Sequence, residues 1–174
     1  MIERSKRQVA SDRIAELARR ALDASTLCAI ATVARGARAH VNTAYFAWSH
    51  ELDLVWLSEP RAGHSRNIRA NPRVAVAVYD SGQAWGGQDR GIQLFGAARE
   101  IGTTGVRDVE ALYAARFPDY DPVSMSAYRF YVLRSRRLKM FDERELGAGV
   151  FVTARLTRDR RLAWERTDIY RSTG

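Results

Sequence analysis

"LCAIATVARGARAHVNTAYFAWSHELDLVWLSEPRAGHSRNIRANPRVAVAVYD", residues 27–80, decides the fold class. It holds strand-like runs at 27–33, 39–48, 52–57 and 73–80, parted by short polar turns. The turn "ARGAR" contains Gly36, which can take a positive φ without a Cβ clash. From 39 to 48 the side chains alternate. His40, Asn42, Ala44 and Phe46 share one face, and Val41, Thr43 and Tyr45 share the other. Alternation of this kind belongs to antiparallel strands with one covered face, whereas buried parallel strands would be apolar throughout.

Outward from this stretch the same pattern continues. Upstream, "SDRIAELARRALDA" (11–24) sets Ile14, Leu17, Ala18, Ala21 and Leu22 on one helical face, with Ser11 as the expected N-cap. Downstream, "GIQLFGAAREI" (91–101) reads as a strand, with Gly96 marking a bulge or bend. "GVRDVEALYAARF" (105–117) reads as a second helix, ended by Pro118. Further strands are expected at 127–134 and 137–143, separated by "SR", and at 149–156. Many short strands with two longer helices predict a mainly β fold, a small Greek-key-like barrel with peripheral helices. A single domain is expected over 1–174, with its core at about 10–156 and a polar peripheral tail at 157–174.

Composition narrows the class. The chain has 174 residues, 46% hydrophobic and 28% charged, enough for a core without metals or disulfides. Its apolar runs are strand-sized, too short for a membrane helix. No hydrophobic stretch follows the N-terminal charges, and Cys28 is the only cysteine, so a cytoplasmic protein is expected. Cys28 itself reads as a small buried hydrophobe. The net charge of +8 favours an anionic partner. The basic runs "RSRRLK" (134–139) and "RLTRDRRLAWER" (155–166) offer a basic nucleic-acid-binding module as an alternative from another class, but they carry no base-stacking signature, so no specific nucleic acid is expected.

Chemistry concentrates in "WLSEPRAGHSRNIRANPRV", residues 56–74. Arg61, His64, Arg66, Arg69 and Arg73 gather there with Ser58 and Ser65, against Glu59 as the single acid. A turn leading into a short helix offers free backbone N–H groups, and with Ser58, Ser65, Arg61 and His64 these would suit one phosphate. The competing reading is a solvated basic helix face, with Arg66, Arg69 and Arg73 turned to water. None of the three histidines sits at metal-ligand spacing with another ligand, and no nucleophile elbow, P-loop or dinucleotide fingerprint occurs. An enzyme built this way would take its reactivity from a bound cofactor.

The order of these residues resembles the flavin-binding split-barrel superfamily that includes pyridoxamine 5'-phosphate oxidase. The resemblance covers about residues 10–145 and is most specific where "HSRNIRANPRV" is followed by "RGIQLFGAARE". It implies an FMN-binding split barrel, a homodimer with cofactor sites at the interface, and flavin-mediated hydride or electron transfer with a small-molecule substrate. By position it carries the phosphate hydroxyl to Ser58 and the phosphate cation to His64, with Arg61 and Ser65 nearby. His40, Val41, Asn42 and Thr43 fall on the strand that edges the flavin ring. Trp56 and Leu57 fall beside the ring and ribityl chain, and Gln93 on a strand reaching the other subunit's cofactor. The dimer face is expected to use Phe46, Trp48, Leu54 and Trp56.

Two departures qualify the match. His64 replaces the family's phosphate lysine, which makes the cation titratable. No histidine follows His64, so the C-terminal Arg-x-His that grips vitamin B6 phosphates is missing, which argues against that reaction. Within the same fold the alternatives are an 8-hydroxy-5-deazaflavin coenzyme, haem, a flavin carrier without catalysis, or a cofactor-free protein.

Overall fold

Strands β2 (Leu27–Ala34), β3 (Arg38–Trp48) and β4 (Leu54–Ser58) form a meander, and β5 (Arg73–Tyr79) returns beside β2. This is a Greek-key arrangement, seen in a computed structural model that describes residues 1–171. β6 (Arg90–Glu100) follows β5, and β7 (Arg129–Asp142) pairs with both β4 and β6. The ring β7-β4-β3-β2-β5-β6 is thus a closed six-stranded antiparallel barrel, as the alternation predicts. No described helix is long and apolar enough to cross a membrane.

The described residues divide into two compact units. The unit made of residues 26–76 and 95–135 contains β2–β4, α2 (Gly63–Ala70) and α3 (Val106–Arg116). Gly36 takes a φ of 71° in the β2–β3 turn, setting the register Cys28↔Ala44, Ile30↔Asn42 and Thr32↔His40. Cys28 is buried, which pushes its thiol pKa up to about 12 and keeps it protonated. β4 is apolar at nearly every position because both of its faces are covered. Leu54 and Trp56 pack against Leu133 and Tyr131 of the neighbouring strand, while Val55 joins Ala47, Tyr113 and Phe130 beneath α3. Phe46, Leu54 and Trp56 are therefore fully buried, and Trp48 is half-buried. Phe46, Leu54 and Trp56 fill the chain's own core, so the dimer face expected from these three is corrected. The large exposed apolar residues on β2 and β3 are instead Leu27, Val33, Val41 and Tyr45.

Gly96 is demanded by close approach. A Cβ there would lie 2.1 Å from the carbonyl oxygen of Arg134 on β7. β7 is one strand of 14 residues, not two strands broken at "SR". Ser135 is fully buried and its N–H donates to Asp53 Oδ1 at 3.1 Å, so a polar pair that looks like a turn is held within the strand.

The other unit, residues 1–25, 77–94 and 136–174, contains β1 (Ile2–Ser5), α1 (Ser11–Asp23), α4 (Glu143–Leu146), β8 (Val150–Leu156) and β9 (Leu162–Tyr170). Ile14, Leu17, Ala18, Ala21 and Leu22 of α1 are all buried, as their spacing predicts. Ser11 is the first helical residue and makes no cap; Ala10 holds the N-cap position. The expected polar tail is largely strand. β9 pairs with β8 and β1, and its buried Thr167 donates to Arg7 O at 2.7 Å and accepts from Trp164 Nε1 at 3.0 Å. Polar side chains with internal partners make this strand read as solvent-facing. The tail's last three residues, 172–174, lie outside the described residues.

Candidate functional site

β4 ends at Ser58, the chain turns through 59–62, and α2 starts at Gly63. This short connection folds Ser58 back onto the first turn of the helix. Ser58 is buried, and its Oγ shares a hydrogen bond with His64 Nε2. The imidazole of His40, projecting from β3, stacks on that of His64 with centroids 6.3 Å apart and planes 22° apart. Burial, and then the neighbouring His40, hold the pKa of His64 below the usual histidine range. This lowering favours the neutral imidazole, placed beside the Ser58 hydroxyl and the His40 ring.

The remaining cations of the segment are arranged differently. Arg69 donates to Glu100 Oε2 at 3.1 Å and to the Pro60 carbonyl at 2.6 Å. Tyr131 OH, raised in pKa chiefly by burial, donates to the same Glu100 oxygen at 2.9 Å. Arg66 donates to the carbonyl of Arg61, whose own side chain is exposed. Ser65 is fully buried and its Oγ donates to Glu59 O at 2.8 Å. Of the four groups expected to converge, the structure brings Ser58 and His64 together. Ser65 is turned into the helix turn and Arg61 outward.

Ser58 and His64 lie on the wall of a cavity of about 640 Å³, within the range of small-molecule sites. β3 contributes Asn42, Thr43, Ala44 and Tyr45, and β4 contributes Leu57. Asn42 Nδ2 donates to Thr43 O at 3.4 Å, while its Oδ1 is buried with no partner among the described residues. A buried carbonyl oxygen without a donor is costly, and an N–H from a bound ring would satisfy it. Val41 is 63% exposed and faces away from Asn42. Trp56 is fully buried, stacked on Tyr131 at 6.0 Å, with its Nε1 also unpartnered. Its ring belongs to the core and not to the cavity wall. Gln93 is exposed on β6, in the unit that contains α1.

The opposite wall was not foreseen from the sequence. It comes from α3 and the segment after it: Tyr113, Arg116, Phe117, Tyr120, Met125 and Tyr128. Tyr113 meets Phe117 at 4.7 Å and Tyr120 at 5.5 Å, and Phe117 meets Tyr45 edge-on at 5.8 Å. Tyr120 OH donates to Glu110 Oε1 at 3.0 Å, and burial together with this carboxylate pushes its pKa up to about 12. The guanidinium of Arg116 lies 4.6 Å from the ring centre of Phe46. The available signal was the spacing of Tyr113 and Phe117, one helical turn apart, with two more tyrosines close behind.

The sequence matches the family model for pyridoxamine 5'-phosphate oxidase over residues 14–141. No curated protein matches it. Among solved structures, a protein of unknown function from Agrobacterium tumefaciens is similar with a TM-score of 0.64 and 21% identity. That match covers 77% of this chain and 58% of the other, so this chain spans little more than half of that relative. A pyridoxamine 5'-phosphate oxidase-related FMN-binding protein from Nostoc punctiforme is similar with a TM-score of 0.63 and 13% identity, over 89% of this chain and 94% of the other. A heme-binding protein from Mycobacterium smegmatis is similar with a TM-score of 0.59 and 15% identity, over 94% and 89%. At such identities the likeness is one of fold.

Proposed function

Because the chain belongs to the pyridoxamine 5'-phosphate oxidase family, we propose that it binds FMN in the 640 Å³ cavity and acts as a flavin-dependent oxidoreductase on a small molecule. The observation that carries this reading is the Ser58–His64 pair on the cavity wall, at the start of α2. The first backbone N–H groups of a helix have no intrahelical acceptor, so Gly63, His64 and Ser65 add donors to the hydroxyl and the imidazole. Asn42 supplies the complementary feature, an unpartnered buried oxygen suited to the N–H at a flavin ring edge. Leu57 and Ala44 give the apolar surface between them.

Bound FMN would supply two-electron transfer. The chain's part is to hold the phosphate at Ser58 and His64, orient the ring through Asn42 and keep the apolar part of the cavity dry. A deazaflavin coenzyme shares the phosphate-bearing side chain and would use the same two residues. A homodimer is part of the proposal. Leu27 and Tyr45 are cross-strand partners on the outward face of β2 and β3, and Val41 lies on the same face. An exposed apolar strip of this kind is suited to a second copy.

The test is titration of FMN, riboflavin and the deazaflavin coenzyme into wild type and Ser58→Ala. Charge-assisted hydrogen bonds contribute about 1.5–3 kcal/mol, so FMN should weaken about tenfold or more. Riboflavin, without a phosphate, should change little. Equal weakening of both would reject the phosphate assignment, and failure of every flavin to bind would reject the reading.

A further inference from the structure

The aromatic wall of the cavity has no part in the phosphate site, yet its side chains are arranged as a receptor. Phe117 and Tyr120 pack on Tyr113, and Tyr45 reaches Phe117 from β3. Core aromatics normally spend their faces on one another. Here Tyr45, Phe117, Tyr120 and Tyr128 also border open volume, and Tyr128, which is outside the strip assigned to a second copy, keeps 43% of its surface exposed. Tyr120 is fixed in place by its hydrogen bond to Glu110. Rings held this way offer flat, preorganised surface, which favours a planar aromatic partner over a flexible aliphatic one.

Charge narrows the class further. Arg116 lies on this side of the cavity, with its guanidinium over Phe46, and it is the permanent cation among the lining residues. The acid on the lining, Asp119, is exposed. A guanidinium beside aromatic faces suits a ring bearing a carboxylate, sulfonate or phenolate. We propose that the α3 side of the cavity binds a planar aromatic anion without a phosphate, and that this is the substrate class of the enzyme. The word substrate rests on the flavin reading above; the binding site itself does not.

Anthraquinone-2-sulfonate is the probe and cyclohexanesulfonate the non-planar control. Each is titrated into FMN-treated wild type, Phe117→Leu, Arg116→Gln and Tyr128→Ala. Binding is followed by calorimetry, FMN occupancy by absorbance and folding by circular dichroism. Tyr128, on the exposed rim, keeps the test informative if Phe117→Leu fails to fold. The expected result is binding of the aromatic probe but not the control, with FMN retained and affinity reduced about tenfold by each folded variant. Binding with the same dependence by protein that takes up no FMN would sustain the site and remove the flavin reading. One-for-one displacement of FMN would assign the wall to the flavin ring and overturn this inference, leaving the flavin reading intact. No binding of the probe, or binding indifferent to the substitutions, would overturn it as well.

Discussion

The hydroxyl of Ser58, the last residue of β4, hydrogen-bonds His64 Nε2 in the first turn of α2, six residues later. The pair makes the imidazole both a member of the anion site and a titrating group. Burial and His40 keep its pKa low in the free protein. A bound phosphate would raise it again, because a nearby dianion favours the imidazolium.

FMN binding is therefore expected to be pH-dependent in a defined direction. The ionic contribution of His64 is fully present below its free-state pKa and is lost as pH rises through the bound-state value. His64→Lys should hold FMN with little change between pH 6 and 8, whereas wild type should weaken over the upper part of that interval. Dissociation constants measured across the interval check this; parallel profiles for the two proteins would show that His64 carries no charge toward the ligand.

The same depressed pKa has a consequence for the cofactor-free fold. The unfolded chain binds a proton at a histidine more readily, near pH 6.5, than the native chain does at His64. Stability from this group is present above the unfolded pKa and lost as pH falls through the folded one. Thermal melts from pH 7.5 to 5 should show a steeper fall for wild type than for His64→Gln.

Gly96→Ala should destabilise the protein without touching the cavity. The added Cβ would meet the Arg134 carbonyl at 2.1 Å, so backbone on β6 or β7 must move. A cost of about 1–3 kcal/mol is expected, as for other overpacked sites. Denaturant unfolding reads it directly; an unchanged midpoint would mean the two strands separate freely at this point.

Val41→Glu should dissociate the proposed dimer. Val41 faces outward on β3, so a charge there leaves the monomer's own core unaltered. Sedimentation at micromolar concentration should shift from dimer to monomer, with a folded circular dichroism spectrum retained. A wild-type monomer would remove the premise.

Pyridoxine and pyridoxamine 5'-phosphate should not be oxidised at an appreciable rate by the FMN-loaded protein. The two arginines of the segment "LAWERTDIYRSTG" pair within the chain: Arg166 with Asp168 at 2.9 Å and Arg171 with Glu3 at 3.2 Å. Accumulation of pyridoxal phosphate in a timed assay would contradict this.

The sequence by itself determined the class of fold, the amphipathic face of α1 and the strand whose inward face bears His40, Asn42, Ala44 and Phe46. Those features follow from periodicity, which each segment carries within its own residues. It also located the stretch where Ser58 and His64 meet, since they are close along the chain. Tertiary structure decided how each polar side chain is used. Arg69 looked like a free cation until Glu100, 31 residues away, was placed beside it. Ser135 looked like a turn until Asp53 received its N–H, and β9 looked like tail until β8 and β1 paired with it. The aromatic wall was hidden for the same reason. Tyr113 of α3 and Phe117 at its C-cap have the spacing of ordinary core residues, and only docking beside Tyr45 of β3 leaves part of that aromatic surface bordering a cavity. Periodicity reports which side of a segment is apolar; what that side meets depends on contacts distant in sequence.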